Sequence, residues 1–149
     1  MQTKTYMTER NGYKDMKIYC AYGSNLNKGQ MCKRCPESKF IGVGRLHGYE
    51  LCFRGCSDNA YATVIPKSEA WVPVALYEIS EKDELLLDRF EGFPFQYYKD
   101  EIMIETEGKS ISAMIYIMDL SRKKRVCHAA IIMLGYGMDT QIAVLIRRY

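Results

Sequence analysis

Lys17-Ile-Tyr-Cys-Ala-Tyr-Gly-Ser-Asn-Leu26 contains an apolar, β-like run, 18–22, that stops at Gly23-Ser24-Asn25. A polar segment with helical character follows from about Asn27. A strand that ends at glycine and turns into a helix leaves backbone N–H groups without partners at the helix start. Those groups point at one spot and favour an anion there, or an oxygen that gains negative charge. Gly, Ser and Asn are also the usual residues of a plain β-turn-α connection, so the triplet alone leaves both readings open. A second stretch, Leu86-Leu-Asp-Arg-Phe-Glu-Gly-Phe-Pro94, bears on the choice.

Outward from this turn, residues 17–22 form the first predicted strand. Asn27 can cap a short helix through Arg34, which Pro36 stops. Residues 40–53 are β-like but broken by Gly42, Gly44 and Gly48, which suggests a bent strand or a strand pair around a barrel corner. A turn at 55–59 leads to a strand at 61–65, closed by Pro66. The next strand, 71–79, alternates Val72, Val74 and Leu76 with other residues, and Pro73 suggests an edge or a strand start. The clearest helix is 80–90. Ser80 is its N-cap, Asp83 stands three residues on, and Leu86, Leu87 and Phe90 share a face until Gly92 and Pro94 end it. Strands at 98–106 and 111–118 read as a hairpin around Glu107-Gly-Lys-Ser110. The tail predicts helices at 126–134 and 140–148. The strands cluster rather than alternate with helices, so the fold class is α+β: a small, mixed-strand curved sheet or barrel with peripheral helices.

With 149 residues, 48% of them hydrophobic and 26% charged, the chain fits one globular domain, 16–149, behind a flexible leader at 1–15. Met16 is an alternative start. The net charge of +3 is small, and the basic run Arg122-Lys-Lys-Arg125 lacks a wider stripe with interleaved aromatics, so no nucleic-acid partner is expected. No apolar run reaches the ~20 residues of a membrane span, and the polar N-terminus has no signal core. These features predict a cytoplasmic protein with no membrane partner; its oligomeric state stays open. Cys32-x-x-Cys35 and Cys52-x-x-x-Cys56 approach a zinc-ribbon spacing. The second pair is one residue too wide, however, and Cys52 sits in a strand-like run that cannot aim two sulfurs at one point. Free thiols and no metal are the expectation.

Glu91 is the carboxylate to single out. Phe90 and Gly92-Phe93-Pro94 frame it with apolar surface, and it lies at a helix C-terminus. Desolvation and the helix dipole both disfavour its charge, which raises its pKa toward a value useful for proton transfer. A solvated helix-end glutamate is the alternative. Ser24 lacks a triad setting with either His47 or His128 and reads as a turn residue or hydrogen-bond donor. Asp88 is expected to face solvent or to meet Arg89 or Arg34. Tyr22 and Tyr98 flank the two stretches and can line a pocket.

The ordered set Tyr22-Gly-Ser-Asn-Leu26, Met31 with Arg34-Cys-Pro36, Gly44-x-Leu46-x-Gly48-Tyr49-x-Leu51-x-Phe53, Tyr61-Ala-Thr-Val-Ile-x-Lys67, Val74-Ala-Leu-Tyr-Glu-Ile79, Leu87-Asp-x-Phe-Glu-Gly-x-Pro94 and Tyr97-Tyr-Lys99 resembles the γ-glutamylcyclotransferase-like family from about residue 16 to 118. The resemblance implies a barrel-like α/β fold with a pocket between the two stretches. It implies an enzyme that frees an amine or amino acid from a small γ-glutamyl amide and leaves 5-oxoproline, a cyclising acyl transfer of lyase type without a cofactor. Glu91 would be the catalytic acid/base. Tyr22, Gly23, Ser24, Asn25 and Leu26 would bind substrate, with Tyr98 at the pocket wall. The tail departs from the family pattern: His128 falls near a position where many members carry a pocket tyrosine. The competing expectation is a non-catalytic binding protein on the same fold, with Cys-bound structural zinc as one form of it.

Overall fold

The computed structural model describes residues 15–56, 59–122 and 126–127. Its elements run β1 (Lys17–Ala21), a 3-10 turn (Ser24–Leu26), α1 (Lys28–Arg34), β2 (Lys39–Cys56), β3 (Asn59–Ile79), α2 (Glu81–Glu91), β4 (Tyr97–Thr106), β5 (Lys109–Met118), a second 3-10 turn (Leu120–Arg122) and β6 (Val126–Cys127). The strands lie in the order β3-β1-β5-β4-β2, and β2 pairs back onto β3, which closes a five-stranded barrel. β1 and β5 are parallel, Tyr19 standing opposite Met114, and the other pairings are antiparallel. β6 adds two residues to β2, opposite Phe53 and Arg54.

Strand alternation sorts the core into two layers. Cys20, Leu46, Val74, Leu76, Ile104 and Ile115 fill the barrel. Tyr19, Ala75, Tyr77, Met114, Tyr116 and Met118 face outward and pack under Met31 of α1, its C-cap Cys35 and Leu87 of α2. β5 therefore has no solvent face from Ala113 to Met118. The two helices cover one side of the barrel, and the site grows from that layer.

The α+β barrel expected from the sequence is observed, with local differences. The segments at 61–65 and 71–79 are one strand. Pro66 pairs with Tyr49 and Trp71 with His47, so β3 takes five steps where β2 takes two. Pro66 thus sits at an irregularity where its missing N–H breaks no regular ladder. Pro73 lies two residues beyond Ala75, the last β3 partner of β1, on a stretch with a β1-free edge. Phe90, placed by periodicity on the core face of α2, is 48% exposed and stacks on Arg34. At the tail, Val126–Cys127 is strand rather than helix start. The rest of that predicted helix, the helix at 140–148 and residues 1–14 of the leader lie outside the described residues.

Glycine is required where β2 crosses β4. A Cβ on Gly44 would stand 2.5 Å from Ile104 Cγ2 and 2.9 Å from the Glu105 carbonyl oxygen. Ile104 is fully buried and cannot retreat. Gly44→Ala is therefore expected to cost about 1–3 kcal/mol, read as a lower urea midpoint at unchanged m.

Candidate active site

The site begins at the end of β1. Gly23 ends the strand, and the chain turns through one 3-10 turn before Asn27 caps α1, its Oδ1 accepting from Gln30 N at 3.0 Å. A Cβ on Gly23 would touch Ala62 Cβ at 3.4 Å, so the turn lies close against β3. The Leu26 amide is spent on Gly23 O, at 3.0 Å. The amides of Ser24 and Asn25, first in the turn, have no acceptor within it. Leu26 packs its side chain on the helix-side core.

Asn25 points the other way from solvent and is 2% exposed. Its carbonyl oxygen accepts from Tyr77 Oη at 3.1 Å. Its Nδ2 donates to Tyr19 Oη at 2.9 Å and to Glu91 Oε1 at 3.2 Å. Its Oδ1 accepts from Arg34, whose same nitrogen also donates to Ser24 Oγ at 3.0 Å. The amide of one side chain thus joins the turn to the last residue of α2.

α2 delivers Glu91 because both ends of the helix are fixed. At its start Ser80 and Asp83 form a full capping box. Along its inner face Glu84 accepts from Lys17 and Lys99, and Asp88 accepts from Lys99 and from Tyr116 Oη. Burial pushes the Glu84 carboxyl up, but the two lysines outweigh it and hold it below the usual carboxylate value. Asp88 therefore meets Lys99 and Tyr116, not Arg89 or Arg34 as its position in the sequence suggested. Gly92 closes the helix in the left-handed region, φ 67°, where a Cβ would strike Gln96.

Burial dominates the chemistry of Glu91. It raises the carboxyl from 4.5 to about 7, against the opposing pull of Arg34 and the Asn25 hydrogen bond. Three tyrosines lie in its field. Burial pushes the hydroxyls of Tyr19, Tyr97 and Tyr22 up, and the Glu91 charge adds to the rise in each. Tyr97 Oη donates to Ala62 O at 2.7 Å, and Tyr22 Oη to Tyr116 O. A carboxyl that changes charge near neutrality, hydrogen-bonded through Asn25 Nδ2 to the turn, can move a proton next to an oxygen that gains charge.

Of the residues singled out in the sequence, Glu91, Asn25, Ser24 and Tyr22 gather here with Gly23 and Leu26. Tyr98 does not join them. It is 41% exposed and lines a separate cavity of about 310 Å³ at the barrel end, with Tyr49, Pro66 and Asp100. Tyr97 occupies the position facing Glu91. The parity of β4 carries the signal: Ile102 and Ile104 pack toward the barrel interior, so Tyr98 shares their side and Tyr97 faces the helices. Tyr19 and Arg34 also belong to the site and were not singled out as pocket residues. His128 lies outside the described residues. Cys32 is exposed, whereas Cys35 is buried with its thiol donating to Asp83 O at 3.6 Å. Among the described residues no group of three or more His, Cys, Asp or Glu is placed to hold a metal ion. Nor is any described helix long and apolar enough to cross a membrane.

The family model "Gamma-glutamyl cyclotransferase, AIG2-like" matches residues 19–135. A solved structure described as a gamma-glutamyl cyclotransferase is 27% identical, with TM-score 0.64 over 70% of this chain and 68% of that one. An uncharacterized protein from Homo sapiens is 24% identical, with TM-score 0.67 over 76% and 72%. An AIG2-like protein from Mus musculus is 20% identical, with TM-score 0.55 over 69% and 77%. The last two are likenesses of fold. No curated protein matches the chain.

Proposed function

The chain belongs to the AIG2-like gamma-glutamyl cyclotransferase family, and from that premise we propose that it converts a small γ-glutamyl amide into 5-oxoproline and a free amine or amino acid, with Glu91 as general acid/base. The observation that carries this reading is the Glu91 carboxyl, raised to about 7 and hydrogen-bonded through Asn25 to the turn that follows β1.

The substrate supplies its own nucleophile. Its α-nitrogen is an ammonium and cannot attack until a base removes a proton. The Glu91 carboxylate takes that proton. The amine then adds to the γ-carbonyl carbon, closing a five-membered ring and placing negative charge on the carbonyl oxygen. The turn amides of Ser24 and Asn25 are suited to receive that charge. Protonated Glu91 returns a proton to the leaving nitrogen as its bond to carbon breaks, and the regenerated carboxylate takes the second proton from the ring nitrogen, which leaves it as the lactam N–H. Attack within one molecule already provides proximity, so the protein's task is to hold the folded-back conformer. The reaction balances without a cofactor. The free thiols of Cys20, Cys32, Cys35 and Cys52 fit a cytoplasmic setting.

The test is 5-oxoproline release over a panel of γ-glutamyl dipeptides, γ-glutamyl amines and glutathione, each followed across pH. Release is expected from at least one class. Because the base form of Glu91 starts the reaction, kcat/KM should rise with pH through about 7 and fall about tenfold per unit below it. Folded protein that releases nothing from any substrate would overturn the reading.

A further inference from the structure

We infer that Arg34 is a positioning residue that decides which way round the Asn25 amide stands, and thereby makes Asn25 a donor to Glu91. Its catalytic meaning rests on the function proposed above; the orientation itself does not.

An asparagine amide has an accepting end and a donating end, whereas a guanidinium only donates. Arg34 is held from three sides. Nη2 donates to Gln30 Oε1 at 3.0 Å, one turn back in α1. Nη1 reaches Ser24 and Asn25 in the 3-10 turn. The guanidinium carbon lies 3.8 Å from the ring centre of Phe90, the residue before Glu91. The fork therefore ties together the three elements that build the site. With Oδ1 taken by Arg34, the Asn25 Nδ2 must face Tyr19 Oη and Glu91 Oε1. Asn25 is too buried for water to replace either contact.

Without Arg34 the amide can turn over. Its oxygen would then meet a Glu91 oxygen, an arrangement that tolerates only the protonated acid. Arg34 thus favours the Glu91 carboxylate twice, by its own charge and through the amide it orients. Among the described residues, the other groups facing Glu91 are the neutral hydroxyls of Tyr19 from β1, Tyr22 just after it and Tyr97 from β4. On α2 itself, Asp88 is engaged by Lys99 and Tyr116.

The experiment titrates Glu91 directly. Full-length protein carrying carboxyl-labelled glutamate is followed by ¹³C NMR, with Glu91 identified by the signal lost in Glu91→Gln. 5-Oxoproline release is measured at each pH. In Arg34→Leu the Glu91 midpoint is expected to move up by ~1 unit or more, and the rising limb of kcat/KM to move with it. Activity then falls about tenfold at neutral pH and recovers in base. Arg34→Lys keeps the charge but has no planar fork to span Ser24, Asn25 and Gln30, so its midpoint should lie between the two. A Glu91 midpoint in folded Arg34→Lys no different from wild type overturns the inference, because the lost charge alone would then account for any shift in Arg34→Leu; an unmoved midpoint in folded Arg34→Leu overturns it as well. A KM raised equally at all pH with an unmoved limb also overturns it, and assigns Arg34 to substrate contact. If no form turns over, the NMR midpoint of Arg34→Lys, which keeps the charge, still decides the orientation while the proposed function fails on its own.

Discussion

Glu91→Gln should lower kcat by at least two orders of magnitude and, in the same protein, raise stability at alkaline pH. The first effect is the size of contribution expected from a positioned acid/base. The second follows from the raised carboxyl. An unfolded chain holds Glu91 at about 4.5, the folded chain at about 7. Between those values the folded state binds more protons, so folding stability falls as pH rises through the window. Below it both states are protonated and the penalty vanishes. Above it the full penalty stands, about 3 kcal/mol for a half-buried group shifted this far. Glutamine carries no such penalty and can still accept from Asn25 Nδ2. Urea unfolding at pH 4 should therefore find wild type and variant alike, and at pH 8 should find the variant more stable. Turnover within tenfold of wild type would remove Glu91 from the chemistry. Equal stability at pH 8 would show that its charge is not desolvated.

Asn25→Asp should be nearly as damaging at neutral pH, for a different reason. The variant keeps the shape of the side chain but replaces the amide nitrogen that donates to Glu91 with an oxygen, at a contact of 3.2 Å. Two carboxylates at that separation cannot both be charged. Arg34 already holds the other end of residue 25 and will favour charge on the new aspartate, so Glu91 keeps its proton. Two units of further rise would leave about one base in a hundred at neutral pH. The pH–rate profile should show that loss, with activity recovering as pH rises. The pair would titrate in two linked steps, visible in the same profile. A variant slowed equally at every pH would instead mark Asn25 as a structural residue.

Much of this was open to a reading of the chain. Ser80 and Asp83 announced α2, Gly92 its end, and the glycines of β2 its bends, because each signal lies within a few residues of its effect. Glu91 stood out because its apolar frame is local too. Pro66 misled: a proline normally closes a strand, and only the pairing of β2 with β3 shows the irregularity that accommodates it. Phe90 misled because helical periodicity does not know that Arg34 of another helix will cover that ring. The partners of Asn25, namely Tyr19, Tyr77, Arg34 and Glu91, come from four elements, and only the closed barrel brings them together. Tyr97 was within reach, since Ile102 and Ile104 fix which of two adjacent tyrosines faces the helices.

The position of β1 sets the order in which this molecule can be assembled. β2 with β3 and β4 with β5 are hairpins that can zip from their own turns. β1 has no hairpin partner. It is the closing stave, inserted between β3 and a strand about 95 residues downstream at the Tyr19–Met114 pairing. Contacts of that range form late and slowly, because loop closure must precede their reward. The turn carrying Asn25 hangs from the end of β1, so its junction with Glu91 should be among the last features to form. A nascent chain would hold most of its sheet before it held a site. In hydrogen exchange, the amides around residues 23–26 should open in an event that leaves both hairpins protected.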